Sequence, residues 1–474
     1  MSDSLFFMDK RIFGIEIEYG IIFASQGRKT LPVEKIVRYL FEQLVTTEGF
    51  LNVFLENGAR FYQDTGYHPE YATPECTNPF DLLRYEKAGD RILESLRQHA
   101  EYKLQREGVL GTLNVYKNNT DFIGNSYGCH ENYLVDRNAN FYYLAEQLIP
   151  FLVTRQIYSG AGKIIQEKRH SGYYTISQRA NYICQKISGT TTNDRSIINT
   201  RDEPHADEEN YRRLHVIVGD SNMSEYCNYL KIGTAALVLR MIEDGFVNKD
   251  FALRNPVKAV KEISDDITCT RKIKLDNGKK FSALEIQKEY FELALKYMQA
   301  RQLNSMEVDV IHKWGYVLNT LEKDPMLLDR EVDWVIKYKL LEDYMSKHGQ
   351  SWDNMSDNVL MLDLQYHDIR EEKGLYYILE RNDMVDRILT DDQIADAIEN
   401  PPQDTRAKIR GEFIKLAKEK KIHYNLDWSY IRVGNLLDVR IMCENPFQTE
   451  NRRVADLMKI IEKSRPTRKR FRFY

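Results

Sequence analysis

Apolar and polar positions alternate most cleanly over residues 11–23, RIFGIEIEYGIIF. Read as one extended strand, whose successive side chains point to opposite faces, Phe13, Ile15, Ile17, Tyr19 and Ile21 make an apolar face. Glu16 and Glu18 then stand together on the other face. The period changes over 33–45, where Ile36, Val37, Leu40, Phe41 and Leu44 recur at helical spacing. Short strand-like runs return at 52–54, 59–64, 113–117 and 212–219, with longer helical patterns between and after them. Residues 272–281 read as a hairpin turning at Asp276-Asn277-Gly278, running into a helix opened by a Ser282/Glu285 capping box. Residues 306–397 are mostly helical in period, and Pro401-Pro402 then interrupts the pattern. This divides the chain into a large domain over 1–402 and a small one over 403–474. The basic tail 465–474, with Phe471, Phe473 and Tyr474 interleaved, reads as a solvated terminus.

Composition narrows the class. The chain has 474 residues, 42% hydrophobic and 29% charged, enough for a large core. A formal net charge of −4 carries no electrostatic signature of a nucleic-acid or membrane partner. No apolar run approaches the roughly 18 residues of a membrane span, and the start lacks the plan of a signal peptide. The six cysteines show no CxxC spacing, so neither a zinc site nor a disulfide framework is indicated. The expectation is a soluble, cytoplasmic protein.

Four constellations carry candidate chemistry. Glu16 and Glu18, at i and i+2, repel each other unless a cation sits between them, and Mg²⁺ prefers carboxylate oxygen. A half-buried strand with one wet face would also produce this pattern. The second constellation, NGARFYQDTGYHPEYATPEC over 57–76, crowds Arg60, Tyr62, Asp64, His68, Glu70 and Glu75 together. Tyr62 and Asp64 share one strand face, as do His68 and Glu70 across a Thr65-Gly66 turn that Asp64 could simply cap. The third, NSYGCHENY over 125–133, sets His130 and Asn132 on a common face. The fourth holds Arg195, INTRDEPHAD and then RRLHVIVGDSN, where Arg213 and His215 oppose Leu214, Val216 and Val218. One such histidine reads as structural, whereas Arg and His together suit an anion such as phosphate. SGAGKI at 159–164 lacks the first glycine and the Ser/Thr of a P-loop and is excluded. The residues alone thus indicate a nucleotide–Mg²⁺ site on a curved antiparallel sheet, in an ATP-using enzyme whose substrate they leave open.

GIEIEYG, NGARFYQDTGYHPEYATPEC, KNNTDFIGNSYGCHENYL, INTRDEPHAD and YRRLHVIVGDSNMSE resemble the Pup ligase/depupylase family, from Arg11 to about residue 460. Members of that family attach the prokaryotic ubiquitin-like protein Pup to lysines, or remove it, and the family is similar to glutamine synthetase. The resemblance implies an α+β fold: a curved, mainly antiparallel β-sheet packed by helices, with a small C-terminal domain contributing to the ATP site. The implied cofactors are ATP and Mg²⁺, and the implied partners a Pup-like modifier and lysine-bearing proteins. Carried over by position, Glu16, Tyr62 and Glu70 match metal ligands, with Glu18 a further one. Arg60, Thr73 and Trp428 match ATP contacts, and Asp64 matches the catalytic aspartate. His130, Arg195, Arg213 and His215 fall near the phosphates. The implied reaction runs through a γ-glutamyl phosphate to an isopeptide bond, ADP and phosphate.

The family divides into ligases and deamidase/depupylases. The latter carry a long insertion between the first strand and the NGAR strand, where this chain has only residues 21–56, partly filled by the helical pattern. GIE, Cys129 and DWVIK are also ligase-like. TNPFD, EKDPM and DLQYHDIREEKGLY stand closer to depupylases, and Asn193, Ser196 and 182–185 depart from actinobacterial ligases. A ligase is the expectation, with a Pup deamidase/depupylase and a small-molecule carboxylate–amine ligase as alternatives. A non-catalytic Pup-binding protein would be expected to lack Asp64 or a metal glutamate, and both are present.

Overall fold

The alternating segments assemble into one eight-stranded sheet. Its spatial order is Gln185–Ser188, Ser196–Asn199, Tyr211–Val216, Cys129–Asp136, Phe13–Glu18, Pro69–Ala72, Arg60–Gln63 and Asn52–Phe54. The first pair is parallel and the other pairings are antiparallel. The computed structural model describes residues 10–26, 31–44, 52–121, 124–190, 194–433 and 439–463. Val45, Asn193 and the basic tail lie outside the described residues.

The pleat sorts side chains as the alternation requires. Phe13, Ile15, Ile17, Tyr71, Phe61, Cys129, Tyr133, Leu214 and Val216 share one face and are buried. They join a core with residues of the helices Pro79–Arg106, Phe141–Thr154 and Glu225–Glu243. Complete burial of each large aliphatic there contributes roughly 1.5–3 kcal/mol. These helices begin on side-chain caps from Asn78, Asn140 and Ser224, each accepting from a backbone N–H in the first turn. The Ser282/Glu285 capping box forms as expected at the start of Ala283–Ala300.

The first strand is shorter than its periodicity predicts. It ends at Glu18, and Gly20–Ser25 leaves the large sheet to pair with Gly111–Tyr116. Tyr19 makes the crossing, with its hydroxyl donating to Asp90 at 2.7 Å and its N–H to the Pro69 carbonyl at 3.0 Å. Alternation continues through the break because both ribbons bury one face; periodicity does not report a change of partner. The helix after it spans Val33–Phe41.

After Pro401-Pro402 the chain forms helix Ala407–Glu419, the antiparallel strands Tyr424–Asp427, Tyr430–Val433 and Val439–Met442, and helix Arg452–Lys463. Phe413, Ile414, Ile431, Val433 and Leu457 make a second apolar cluster, which also takes in Phe54 from the edge of the large sheet. Among the described residues, no helix is long and apolar enough to cross a membrane.

Candidate active site

The polar face of the sheet carries the chemistry, and its register decides which groups meet. Tyr62 lies opposite Glu70, and Glu70 opposite Glu18, in one row across three strands. Asp64 follows in the hairpin turn, where its N–H donates to the His68 carbonyl at 2.9 Å and Gly66 takes φ +84°. The carboxylates of Glu18, Asp64 and Glu70 each place an oxygen within 4.8 Å of the others. Burial pushes the Glu70 carboxyl well above the usual carboxylate range, and repulsion from Glu16, Glu18 and Asp64 pushes it further. Burial, then Glu70 and Glu16, likewise raise the Tyr62 phenol. Gly128 allows the close approach on the far side: a Cβ there would lie 2.5 Å from Glu18 Oε1 and 2.7 Å from His130 Nε2. An anionic, all-oxygen set of this kind fits Mg²⁺.

One step along the first strand the environment reverses. Glu16 faces His130 Nδ1 at 3.5 Å, Arg213 at 3.8 Å and His215 Nε2 at 3.8 Å. Burial opposes ionisation of Glu16, but the His130 hydrogen bond and the Arg213 guanidinium outweigh it and hold the carboxyl well below its usual range. Burial, reinforced by neighbouring His130, keeps His215 neutral. Both ring nitrogens of His215 and the Arg213 Nε are buried without a hydrogen-bond partner. Each such group costs about 1–3 kcal/mol, so this pocket suits a ligand that supplies the partners, such as phosphate oxygens.

A slot of about 90 Å³ continues from there between the sheet and the C-terminal unit, walled by Thr73, Pro74, His205, Arg213, Trp428 and Pro446. Flat proline and aromatic walls suit a planar base. The Thr73 hydroxyl accepts from the Ile15 N–H at 3.1 Å. Arg60 lies over the Tyr62 ring at 4.6 Å and the Phe54 ring at 5.6 Å, and Phe54 meets Trp428 edge-on at 4.9 Å. A larger cavity of about 630 Å³ borders Asp136, Tyr211, Glu444 and Phe447 and shares Leu134 with the slot.

The structure thus gathers Glu16, His130, Arg213 and His215 at one place, Glu18, Tyr62, Asp64 and Glu70 at a second, and Thr73 and Trp428 at a third, with Arg60 over the Tyr62 and Phe54 rings. The Arg195 guanidinium donates to the Ser126 carbonyl, two residues before Gly128. His68 stacks on Tyr127 with centroids 4.5 Å apart, and its Nδ1 meets the Tyr19 carbonyl at 3.0 Å. Sequence reasoning missed His205, which takes φ +49° in the INTRDEPHAD loop, and the ion cluster of Glu75 with Arg406 and Arg410. One signal was present: two arginines a helical turn apart just after the Pro401-Pro402 break.

The comparisons with known proteins identify the family and the fold. The sequence profile of the family described as Pup-ligase protein matches residues 11–432. A Pup–protein ligase of Nocardioides sp. is 49% identical over 453 residues, covering 95% of this chain and 99% of that protein. Among solved structures, the ligase PafA in its complex with Pup superposes with a TM-score of 0.90 at 38% identity, covering 96% of this chain and 92% of that one. PafA in complex with ADP gives 0.82 at 38% identity, over 93% and 96%.

Proposed function

The chain belongs to the Pup-ligase family and acts as an ATP-dependent Pup–protein ligase, and we propose that its polar sheet face divides that reaction among three groups of residues. The observation that carries this reading is the sheet register, which aligns Tyr62, Glu70 and Glu18 beside Asp64 and sets Glu16 opposite His130, where Glu16 also borders the Trp428 slot.

Trp428, His205 and the prolines hold the base, with Arg60 and Thr73 beside it. Arg213, His130 and His215 face the phosphates. Glu18, Glu70 and Tyr62, with Glu16, are the residues that would hold Mg²⁺, which supplies charge neutralisation for the moving phosphoryl group. An oxygen of the modifier's C-terminal glutamate γ-carboxylate attacks the γ-phosphorus and the bond to ADP breaks, leaving an acyl phosphate. The lysine amine then attacks the acyl carbon and phosphate departs. With an ordinary lysine pKa near 10.4, only about one amine in a few thousand is neutral at pH 7. Asp64, beside the reacting carboxyl, accepts the proton released as the C–N bond forms. The division near residue 402 and a cytoplasmic location belong to the same reading; the six free cysteines are compatible with a reducing compartment.

The test is a gel-shift assay with the protein, Mg²⁺-ATP, a Pup-like modifier ending in glutamate and a lysine-bearing acceptor, with a preformed conjugate in parallel. ATP-dependent appearance of conjugate is expected. Loss of the preformed conjugate without new ligation would make the chain a depupylase.

A further inference from the structure

Glu75 is a charged residue near the nucleotide slot that the reaction itself does not use. It is buried, at 7% exposure, and lies two positions beyond Thr73 on the segment that leaves the sheet. Its Oε1 accepts from Arg406 Nε at 2.6 Å and from Arg410 Nη1 at 3.2 Å, and its Oε2 accepts from Arg410 Nη2. Thr405 donates to its backbone carbonyl at 3.0 Å.

Each arginine passes the contact on to a wall of the slot. Arg406 donates to the His205 carbonyl and, at 3.0 Å, to the Cys443 carbonyl on the segment that leads to Pro446. Arg410 donates to the Trp428 carbonyl at 3.3 Å and stacks its guanidinium 4.8 Å from the centre of the Trp428 ring. It also reaches the Gly58 carbonyl at 3.1 and 2.9 Å. The walls come from separated segments, and among the described residues Glu75 is the one carboxylate bonded to both arginines that join them.

We propose that Glu75 is the positioning residue of the nucleotide slot, holding Trp428 through Arg410 and His205 through Arg406 at base-binding distance from the sheet. Glu75 borders the slot beside Thr73 and Pro74, with both of its carboxylate oxygens taken up by the two arginines. It sets how well the slot is pre-formed, so its effect falls on nucleotide affinity. The inference rests on the assignment of the Trp428 slot to the nucleotide.

Steady-state conjugation kinetics of the full-length enzyme test it, with Glu75→Gln, Glu75→Asp and Trp428→Ala side by side. Glu75→Gln is expected to raise KM for ATP about tenfold while kcat and KM for the modifier stay within about twofold. Glu75→Asp, which keeps the charge, should recover KM for ATP to within about threefold of the unmodified enzyme. An ATP KM that moves in Trp428→Ala but not in Glu75→Gln overturns the positioning role and leaves the slot assignment standing. If neither variant moves it, the slot assignment falls and the inference with it. A Glu75→Gln enzyme that loses kcat and both KM values together also overturns it, because that is general loss of structure. If Glu75→Gln does not fold, Arg410→Lys is used, and an unchanged ATP KM there overturns the proposal.

Discussion

Glu70 and Glu75 lie on the same short stretch of chain, both buried, and their surroundings drive them in opposite directions. Around Glu70, burial is compounded by Glu16, Glu18 and Asp64, and its carboxyl is pushed well above the usual range. Around Glu75, burial is outweighed by Arg410 and Arg406, and its carboxyl is pushed down to about 2. A buried acid whose charge is answered within the protein holds structure together. A buried acid set among other acids costs stability until a cation arrives, and that cost is the mark of a binding site. Glu16 stands between these cases: it is braced by His130 and Arg213, yet its charge also reaches Glu70 in the acidic group.

The largest effect is expected at the group neither comparison compensates. Asp64→Asn should lower the conjugation rate by on the order of 10²–10⁴-fold while leaving ATP binding intact, read by single-turnover gel shift and nucleotide titration. An active variant would remove Asp64 from the proton-accepting role. Next is the acid stability of the compensated end. Because the Glu75 pKa lies below its unfolded value near 4.5, its contribution of about 3 kcal/mol is complete above pH 4.5 and disappears as pH falls toward 2. Acid unfolding followed by circular dichroism should show this component in the unmodified protein and not in Glu75→Gln; equal acid sensitivity of the two would contradict it. Glu16→Ala should weaken Mg²⁺-nucleotide binding by roughly tenfold, or about 1.4 kcal/mol, by isothermal titration. Unchanged affinity would count against Glu16 as a ligand. The smallest effect has the opposite sign to the loss at Glu75: in chelator, Glu70→Gln should be more stable than the unmodified protein by about 1 kcal/mol, a few degrees in Tm. Added Mg²⁺ should stabilise the unmodified protein and leave the variant almost unmoved. Destabilisation of Glu70→Gln in chelator would end the distinction between the two glutamates.

Much of this was legible beforehand because it depends on short-range order. The Ser282/Glu285 capping box, the hairpin around Asp276-Asn277-Gly278 and the 52–54 strand appear where the pattern sets them. So does the placement of His130 and Asn132 on one face, since alternation along a strand obeys the pleat. What failed to show was any change of partner. From Phe13 to Ile21 every second residue is apolar, yet the chain moves to another ribbon at Tyr19. Nor does any local pattern show that the Arg195 guanidinium donates to the Ser126 carbonyl. The Glu75–Arg406–Arg410 cluster joins residues more than three hundred positions apart, beyond the reach of any local pattern.

By itself the sequence determined the faces: Glu16 and Glu18 point the same way because a strand repeats every second residue, and Ile15 and Ile17 beside them must be buried. The tertiary structure decided the company each keeps. Pro69–Ala72 and Arg60–Gln63 pair on one side of the first strand and bring Glu70, Tyr62 and Asp64 toward Glu18. Cys129–Asp136 and Tyr211–Val216 lie on the other side and bring His130, Arg213 and His215 toward Glu16. Strand order is selected by burial of the common apolar face against the helices, a long-range balance that the periodicity of any one strand does not encode.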